Sequence, residues 1–434
     1  MDTPNIVVIG GGSVGSFIAH DLSLRGLRVT LVEKGNILGG TSARFHGMLH
    51  SGARYAVNDV NEARKVMEDN RVISDIAPHC IEDTGGIFVG LDNDDLDYAS
   101  KFTAGCNQAG IDVKDIELDK LRESEPFITK DAKIALGVPD KVINSFRLVT
   151  SLMLTAKAEG ARILLSSEAI GFETEGKHVT GVKVRDSSGV STLKSDLVIN
   201  ASGPWIGKVM SEHLGINSID MIMSAGTMAV MERRFTKSIV NRLRLPSNGD
   251  IIVPYFTESI IGTTAFIIGD PDNFEIDKDD VDFLVEEGSK MIPAIKNSRV
   301  KRHYAGVRAL ISSSSDGNGD RNISRDFKIF DHETADGVSG IATVGGGKLS
   351  TSRIMAKKVG DFACSKFGIR DESKTDSIKL TWPELKEDNI EEITKKTGVS
   401  SQILKELISE TSAKTYSDLY SPTMDLVYSR MLFD

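Results

Sequence analysis

The sequence predicts an α/β fold. A Rossmann-like nucleotide-binding domain, discontinuous along the chain, is covered by a second, largely antiparallel sheet and followed by a short helical C-terminus. Three observations lead to this prediction. A strand, a glycine-rich turn, a helix and a second strand ending in an acid follow one another over residues 5–33. Further strands of the buried type occur at 161–165 and 196–200. The blocks between these pieces contain shorter, alternating segments such as 227–231 and 259–262.

The composition is that of an ordinary globular protein and excludes several classes. The chain has 434 residues, of which 40% are hydrophobic and 26% charged, so two or three domains are expected. A formal net charge of -10 gives no global reason to bind nucleic acid, and no nucleic-acid partner is expected.

Cysteine usage and hydropathy indicate the compartment. Cys80, Cys106 and Cys364 form no CxxC pair, which excludes zinc ribbons, iron–sulfur clusters and a disulfide framework and favours a reducing, cytoplasmic setting. No apolar run reaches the roughly 18 residues of a membrane span, and no basic region precedes the first strand. We therefore expect neither a transmembrane segment nor a signal peptide.

The first strand, over residues 5–9, leads into a GxGxxG turn formed by Gly10, Gly12 and Gly15. The first glycine allows the tight turn, the second lets a pyrophosphate approach the backbone, and the third lets helix and strand pack closely. The helix that follows offers unpaired N–H groups and a partial positive charge to phosphates at its N-terminus. This pattern predicts a dinucleotide site.

Glu33, at the end of the second strand, indicates which dinucleotide binds. Its carboxylate would accept hydrogen bonds from an adenosine ribose and repel a 2′-phosphate, which disfavours NADP. Residues 34–42 then form a glycine-rich stretch without apolar periodicity, where a compact NAD domain would enter another helix. This loop favours the larger cofactor, FAD, over NAD.

Six separate stretches of the sequence match motifs of one family. They are residues 39–55 (GGTSARFHGMLHSGARY), 196–205 (DLVINASGPW), 261–264 (IGTT), 304–310 (YAGVRAL), 322–326 (NISRD) and 345–353 (GGGKLSTSR). In order and spacing they resemble FAD-dependent oxidoreductases of the D-amino-acid-oxidase type. Within that group the sequence is most similar to the FAD-dependent glycerol-3-phosphate dehydrogenases, particularly the anaerobic catalytic subunit. The resemblance covers residues 5 to about 370.

Two features depart from the family pattern. The anaerobic subunit usually carries a C-terminal cysteine-rich module, whereas residues 371–434 contain no cysteine and show a helical pattern around Ile403, Leu404, Leu407 and Ile408. The family also commonly has proline where Ala309 stands, and Thr-Tyr-Arg where this chain has Thr351-Ser-Arg. The first departure leaves the electron acceptor open.

The resemblance implies a domain arrangement interleaved in sequence. The predicted FAD-binding domain comprises residues 1–75, 147–215 and 306–370. The predicted substrate-binding cap comprises 76–146 and 216–305, and 371–434 form the helical C-terminal segment.

The substrate that the resemblance implies, sn-glycerol 3-phosphate, carries a phosphate dianion that arginine's planar fork binds best. By the resemblance, Arg54, Tyr55, Arg308, Arg325 and Lys348 line the substrate pocket and Thr264 lies nearby. The catalytic candidates are Arg308, Lys348 and His50; for His46 and His50, flavin packing and covalent flavin attachment stay open as alternatives. Which of the three catalytic candidates removes the hydroxyl proton stays open. The other arginines considered are expected on the surface, and they are Arg233, Arg234, Arg242 and Arg244.

The cofactor contacts are expected along both halves of the predicted site. They are Gly10, Gly12, Ser13, Val14, Gly15, Glu33, Lys34, Gly40, Thr41, Ser42, His46, Gly47, Leu49, Ala169, Ala201, Ser202, Gly203, Trp205, Gly346, Gly347, Leu349 and Ser350. The glycine turn before Lys348 would aim helix N–H groups at the pyrimidine edge of the flavin. His46 and His50 stand four residues apart, but no Glu or Cys completes a ligand set, so no metal site is expected.

The resemblance implies FAD-dependent oxidation of sn-glycerol 3-phosphate to dihydroxyacetone phosphate, with hydride transfer from C2 to flavin N5. A quinone, an electron-acceptor protein or dioxygen would then reoxidise the flavin. Two alternatives stay open: oxidation of a 2-hydroxy acid (2-hydroxyglutarate-like) or an amine on the same fold, and a flavin-binding subunit without turnover. The expected location is cytoplasmic, with peripheral association at the inner face of the membrane as an alternative.

Overall fold

Two large sheets, one mainly parallel and one mainly antiparallel, organise the chain in the computed structural model. The structure describes residues 3–92, 94, 97–311, 326–382, 390–391, 394–395, 400–402 and 405. The described strands are β1 (Asn5–Ile9), β2 (Arg28–Val32), β3 (Met48–Leu49), β4 (Ile81–Glu82), β5 (Gly86–Leu91), β6 (Lys114–Asp115), β7 (Ala132–Val138), β8 (Lys141–Ile143), β9 (Arg162–Leu164), β10 (Glu168–Glu175), β11 (His178–Asp186), β12 (Gly189–Lys194), β13 (Leu197–Asn200), β14 (Met221–Met231), β15 (Ile239–Arg242), β16 (Ile251–Tyr255), β17 (Glu258–Gly262), β18 (Phe266–Ile268), β19 (Val300–Ile311), β20 (Phe327–Asp331) and β21 (Ile341–Gly346).

Helices connect these strands and cover both sheets. The described α-helices are α1 (Ser13–Leu24), α2 (Val60–Ile76), α3 (Tyr98–Ala109), α4 (Leu118–Ser124), α5 (Ser145–Ala158), α6 (Ile206–Leu214), α7 (Lys278–Met291), α8 (His332–Ala335) and α9 (Ser352–Lys366). Short 3₁₀ turns occur at Thr41–Ala43, Ala53–Tyr55, Pro78–Cys80, Gly203–Trp205, Pro293–Asn297 and Leu349–Thr351. None of the described helices is long and apolar enough to cross a bilayer.

The first large sheet has six strands in the order β20-β21-β13-β1-β2-β9. All neighbours pair in parallel except β20, which runs antiparallel to β21 at the edge. Its central strands are mainly apolar because they are buried on both faces, as in β1, where Ile6, Val7 and Val8 are fully buried. Helices α1, α5 and α9 contribute to the core on one face through Phe17, Leu152 and other apolar side chains.

The second large sheet has nine strands and carries the walls of the site described below. Its order is β18-β14-β17-β16-β15-β5-β7-β6, and the long strand β19 also pairs antiparallel with β14. All its pairs are antiparallel except β15 with β5. Two three-stranded sheets, β10-β11-β12 and β3-β8-β4, complete the arrangement.

The predicted fold class is confirmed: a parallel nucleotide-binding sheet and a largely antiparallel second sheet are formed by segments that alternate along the chain. Strands β11 and β12 form an antiparallel hairpin. The division of the chain at the stated domain boundaries stays a prediction. The helical pattern expected around Ile403, Leu404, Leu407 and Ile408 lies outside the described residues.

A buried ion-pair network joins α1 to α9 at the edge of the first sheet. Arg25 Nε donates to Asp21 at 2.7 Å and Arg25 Nη2 to Asp361 at 2.8 Å, and both side chains of the Arg25–Asp21 pair are almost fully buried. Gly360 of α9 passes so close that a Cβ atom there would lie 1.9 Å from Asp21 Oδ2. Glycine at this position therefore lets the two helices meet around the ion pair.

We expect Gly360→Ala to lower the free energy of unfolding by about 2–4 kcal/mol, because the added methyl group displaces a buried, ion-paired carboxylate. Thermal or urea denaturation would measure the change. Gly207→Ala is the matched helical control, since a Cβ at Gly207 meets nothing within 4 Å. That control should be neutral or stabilising by up to about 1 kcal/mol. Equal stability of the two variants would contradict the steric argument.

Candidate functional site

Two neighbouring cavities lie where the two large sheets meet. The first, which we call the glycine-turn cavity, has a volume of about 560 Å³ and is lined by the turn after β1 and the end of β2. The second, which we call the cationic cavity, has a volume of about 720 Å³ and lies between residues 44–62 and strands β14 and β19. Thr41 and Arg44 line both cavities. The two cavities are therefore adjacent and share these two residues as a common wall.

The turn after β1 can be built only from small residues. Gly10 has φ +105°, and a Cβ there would lie 2.7 Å from the Ala201 carbonyl oxygen. A Cβ at Gly15 would lie 1.9 Å from the carbonyl oxygen of Gly10. Helix α1 starts directly after this turn with Gly12 at its N-cap, a residue without a side chain that could cap that end. Its N-terminal dipole therefore faces the glycine-turn cavity and suits an anionic ligand.

The carboxylate of Glu33 ties together the two loops at this cavity. It accepts a hydrogen bond from the Gly11 N–H at 2.7 Å and another from the Gly35 N–H at 2.8 Å. Nearby, the Ser13 N–H donates to Ser42 Oγ at 3.0 Å. A carboxylate has about four lone-pair positions, so Glu33 keeps acceptor capacity for ligand hydroxyls.

The rim of the glycine-turn cavity is formed by Trp205 and its charged neighbours. The Trp205 indole Nε1 donates to Asp272 at 2.9 Å, and the Lys34 ammonium lies 5.1 Å from the centre of the indole ring. Asp272 belongs to the segment between β18 and α7, so the second sheet also contributes to this cavity.

Most residues expected to contact a cofactor lie together, and some do not. Those that line the glycine-turn cavity are Gly10, Gly12, Ser13, Val14, Glu33, Lys34, Gly40, Thr41, Ser42, Ala169, Ala201, Ser202, Gly203 and Trp205. His46 lines the cationic cavity instead. The expected residues that line neither cavity are Gly15, Gly47, Leu49, Gly346, Gly347, Leu349 and Ser350. Among these, Leu49 is fully buried in the core, and Ser350 Oγ is buried without a hydrogen-bond partner among the described residues.

The cationic cavity brings together side chains from distant parts of the chain. Arg54, Tyr55, Arg308, Lys348 and His50 all line it. The convergence of two arginines and a lysine on one cavity is what a polyanionic ligand requires.

Arg54 is held from behind by a carboxylate. Its Nη2 donates to Asp250 at 2.9 Å and to the Ser247 carbonyl oxygen at 3.0 Å, and only 9% of its side chain is exposed. Arg54 Nη1 is buried and has no hydrogen-bond partner among the described residues. One donor of this guanidinium is therefore left for a ligand.

Arg308 is oriented by oxygens of strand β14 and the turn after β17. It donates to Ser224 Oγ at 3.2 Å, to Thr263 Oγ1 at 2.5 Å and to the Thr264 carbonyl oxygen at 3.2 Å. Gly226 makes room for it, because a Cβ there would lie 2.3 Å from Arg308 Nη2. The guanidinium thus lies flat against the sheet beside the cavity.

Lys348 pairs with a carboxylate that also faces the cavity. Its ammonium bonds to Glu62 of α2 and lies 4.5 Å from the centre of the Tyr55 ring. Both side chains of the Lys348–Glu62 pair are nearly buried, with 13% and 12% exposed. An ammonium held in this way donates hydrogen bonds to a ligand rather than accepting a proton.

Two histidines complete the wall. Burial, together with the charges of Arg54 and Arg308, lowers the pKa of His46 to about 3, so its imidazole is neutral. Its Nδ1 accepts the Met48 N–H at 3.2 Å, which places the proton of the neutral ring on Nε2. The His50 ring lies 5.4 Å from that of His46 and 5.8 Å from that of Tyr55. Of the three catalytic candidates, His50 is the one that is not a permanent cation.

Two expected substrate residues are not placed in the cavity wall. Thr264 is buried, its hydroxyl donates to Asp280 at 2.9 Å, and it is absent from the lining, although its neighbour Thr263 is present. Arg325 lies outside the described residues.

The structure also places charged residues at the site that the sequence analysis did not identify. These are Arg44, Asp59, Glu62, Lys65 and Asp326 in the wall of the cationic cavity. The local signal for Glu62 is its position three residues after Asp59, whose side chain caps α2 through the Glu62 N–H.

The expectation that Arg242 and Arg244 are surface residues was wrong. The side chain of Arg242 is 6% exposed and pairs with Asp94 at 2.8 Å. That of Arg244 is 26% exposed and pairs with Asp250, the same carboxylate that holds Arg54. The loop between β15 and β16 folds inward, so its charges belong to the back of the cavity wall.

Comparison with known proteins agrees with this geometry. A family model described as DAO, FAD dependent oxidoreductase, matches residues 5–361. Over 368 residues the chain is 40% identical to an anaerobic glycerol-3-phosphate dehydrogenase subunit from Escherichia coli (strain K12), a match that covers 84% of this chain and 67% of that protein. It is 40% identical over 385 residues to the protein of corresponding name from Haloferax volcanii, covering 86% and 65%. The chain thus spans about two thirds of the length of these relatives.

A solved structure shows the same fold. The glycerol-3-phosphate dehydrogenase from Bacillus halodurans, complexed with FAD, aligns with a TM-score of 0.68 at 20% identity over 100% of this chain and 82% of that one. The resemblance to the FAD-dependent glycerol-3-phosphate dehydrogenases that the motifs predicted is confirmed.

The residues present fit FAD. The glycine turn and the uncapped end of α1 suit a pyrophosphate, and Glu33 suits a ribose. The two adjacent cavities together offer room for a dinucleotide on both sides of Thr41.

We expect Glu33→Gln to weaken FAD binding at least about tenfold, because the amide retains one acceptor for two backbone N–H donors and for the ribose. Titration of the apoprotein with FAD, followed by flavin fluorescence, measures the dissociation constant. Glu212→Gln removes a carboxylate from the same cavity and is the matched control, expected within threefold of the unmodified protein. Similar weakening in both variants would show that overall charge, not the position of Glu33, matters.

Proposed function

The chain belongs to the family of FAD-dependent oxidoreductases of the DAO type, and from that premise we propose that it oxidises sn-glycerol 3-phosphate to dihydroxyacetone phosphate. The observation that supports this substrate is the convergence of Arg54, Arg308 and Lys348 on one cavity next to the glycine-turn cavity. The names of the relatives from Escherichia coli and Haloferax volcanii support the same substrate. FAD, when bound, supplies the acceptor for the hydrogen on C2.

The cations of the cavity would bind the substrate phosphate and orient the molecule. Arg54 Nη1 is the buried donor without a partner among the described residues, so a phosphate oxygen there would satisfy it. Lys348 can turn from Glu62 to the substrate, since both groups face the cavity. A phosphate carries two charges on one group and recovers more of the desolvation cost of these cations than a single carboxylate does, which favours a phosphorylated substrate over a monocarboxylic 2-hydroxy acid.

In this proposal His50 accepts the proton of the C2 hydroxyl group. Arginine and an ion-paired lysine already carry their protons, and the Met48 N–H occupies Nδ1 of neutral His46, whose other ring nitrogen is protonated. Arg308 would stabilise the negative charge that develops on the C2 oxygen as its proton leaves. The hydrogen on C2 and the hydroxyl proton would thus go to two different acceptors, FAD and His50.

The acceptor that reoxidises the enzyme is proposed to be a quinone or another electron acceptor. We place the protein in the cytoplasm, with docking at the inner membrane face as the alternative; both remain predictions.

The test of the proposed function is anaerobic reduction of the bound flavin. We expect sn-glycerol 3-phosphate to abolish the absorbance of oxidised flavin in the purified holoprotein, whereas 2-hydroxyglutarate and glycine leave it unchanged. Reduction only by the hydroxy acid or the amine would assign the alternative substrates. A spectrum that stays oxidised with all three compounds would indicate a flavin-binding subunit without turnover.

We expect Gly226→Ala to lower kcat/KM for glycerol 3-phosphate at least about 100-fold, because the new methyl group forces Arg308 out of its position and a displacement of about 1 Å can cost this much. FAD content should not change, since Gly226 is outside the glycine-turn cavity. Gly269→Ala, where a Cβ meets nothing within 4 Å, is the control and should behave as the unmodified enzyme. Full activity of Gly226→Ala would refute the role of Arg308.

A further inference from the structure

A chain of ion pairs lies behind the cationic cavity and ends at Arg54. Its centre is Asp250, whose carboxylate is fully buried. One oxygen, Oδ2, accepts Arg54 Nη2 at 2.9 Å and the Ser247 N–H at 2.5 Å. The other oxygen, Oδ1, accepts Arg244 Nε at 3.0 Å and Nη2 at 2.7 Å. Both oxygens of Asp250 are therefore occupied, one on the cavity side and one on the outer side.

Asp250 by itself would neutralise the positive charge through which Arg54 attracts an anion. A buried arginine and a buried carboxylate at 2.9 Å form a neutral pair with little attraction for a third charge. Arg244 adds a second cation to the same carboxylate, so the three groups together keep a net positive charge. Arg244 does this without lining the cavity.

The carboxylate on the far side of Arg244 does not cancel this charge. Glu287 accepts Arg244 Nη2 at 3.1 Å, but Glu287 also bonds to Lys290 and lies 3.8 Å from Arg242. Arg242 pairs in turn with Asp94. The connected groups thus comprise four cations and three carboxylates, and they are Arg54, Arg242, Arg244, Lys290, Asp94, Asp250 and Glu287.

Arg244 also fixes the direction of Arg54. By holding Oδ1, it prevents the Asp250 carboxylate from turning and taking both donors of the Arg54 guanidinium in a bidentate pair. Arg54 Nη1 then keeps no hydrogen-bond partner among the described residues, and Arg54 is one of the residues that line the cavity.

We propose that Arg244 is a positioning residue that sets the affinity of the cationic cavity for dianions, by holding Asp250 so that Arg54 keeps both its free donor and its charge. This inference rests on the proposed function and identifies an element of substrate recognition outside the substrate cavity. In this proposal, the preference for phosphate over singly charged groups depends in part on Arg244, which does not line the cavity.

The test uses the FAD-loaded enzyme and the variants Arg244→Met and Lys290→Met. We expect Arg244→Met to raise KM for glycerol 3-phosphate about tenfold and to change kcat less than twofold, because ground-state and transition-state binding of the phosphate weaken equally. Inhibition by inorganic phosphate should weaken by a similar factor. Lys290→Met removes a cation of the same connected groups but leaves the contacts of Asp250 with Arg54 and Arg244 in place, so its KM should rise less than threefold.

Arg244→Lys is the variant that separates charge from geometry. It keeps the charge but cannot reach Asp250 with two donors, so KM should rise about threefold, between the unmodified enzyme and Arg244→Met. If Arg244→Met loses FAD or stability, the KM of Arg244→Lys tests the proposal in its place.

The inference is overturned if KM and phosphate inhibition are unchanged in Arg244→Met, or in Arg244→Lys where only that variant folds. It is also overturned if Lys290→Met raises KM as much as Arg244→Met. In either case glycerol 3-phosphate would still reduce the flavin of the unmodified enzyme, so the proposed function would stand. Absence of that reduction would reject the proposed function itself.

Discussion

Gathering positive charge in one partly buried cavity is the constraint on which the rest of this site depends. Each cation loses hydration and repels the others, so each must be compensated by nearby oxygens without losing its capacity to bind an anion. The three central cations meet this constraint differently. Arg54 shares a buried carboxylate with Arg244, Lys348 bonds to Glu62, and Arg308 lies on hydroxyl and carbonyl oxygens. The differences suggest different roles: Arg54 is fixed, and Lys348 can exchange one anion for another.

A carboxylate such as Glu62 is unexpected in a cavity that binds anions. The need to compensate buried cations explains its presence. Without a ligand, Lys348 would be an almost buried ammonium over the Tyr55 ring with no counter-charge beside it. Glu62 supplies that charge from the N-terminal turn of α2, where the helix dipole also favours a carboxylate. A phosphate that binds Lys348 must outcompete Glu62, which lowers affinity but leaves the empty cavity without an uncompensated cation.

Sequence reasoning predicted the parts of this protein whose determinants are local. The glycine turn, its helix and Glu33 lie within about 25 residues, and the backbone conformation of Gly10 follows from the residue type itself. Arg308 and Lys348 were identified because each stands in a recognisable motif. Which charged residues form ion pairs could not be predicted from local sequence. Lys348 and Glu62, for example, are 286 positions apart and are brought together only by the fold.

Local pattern was misleading at two places. Arg244 follows a strand end in a polar loop, a context typical of solvent-exposed arginine, and only the inward fold of that loop onto Asp250 places it behind the cavity wall. Thr264 and Thr263 are adjacent in one motif, yet in the turn after β17 the hydroxyl of Thr264 bonds to Asp280 and that of Thr263 to Arg308. A motif identifies the segment, and the conformation of the turn decides which of its side chains lines the cavity.

The position of Arg308 relative to the glycine-turn cavity is set by backbone contacts rather than by ion pairs. Residues 41–45 contribute to both cavities and are clamped to β19: Thr41 Oγ1 donates to the Val307 carbonyl oxygen at 2.7 Å, and the Tyr304 hydroxyl donates to the Phe45 carbonyl oxygen at 2.8 Å. Between these two bonds the Arg44 carbonyl group approaches Gly306 so closely that a Cβ there would lie 1.9 Å from its oxygen. Gly306 and Arg308 are two residues apart on one strand and therefore share a face. Gly306 thus allows residues 41–45 to contact β19. Because Arg308 lies two residues further along the same strand, its position relative to a cofactor bound by residues 41–45 is fixed.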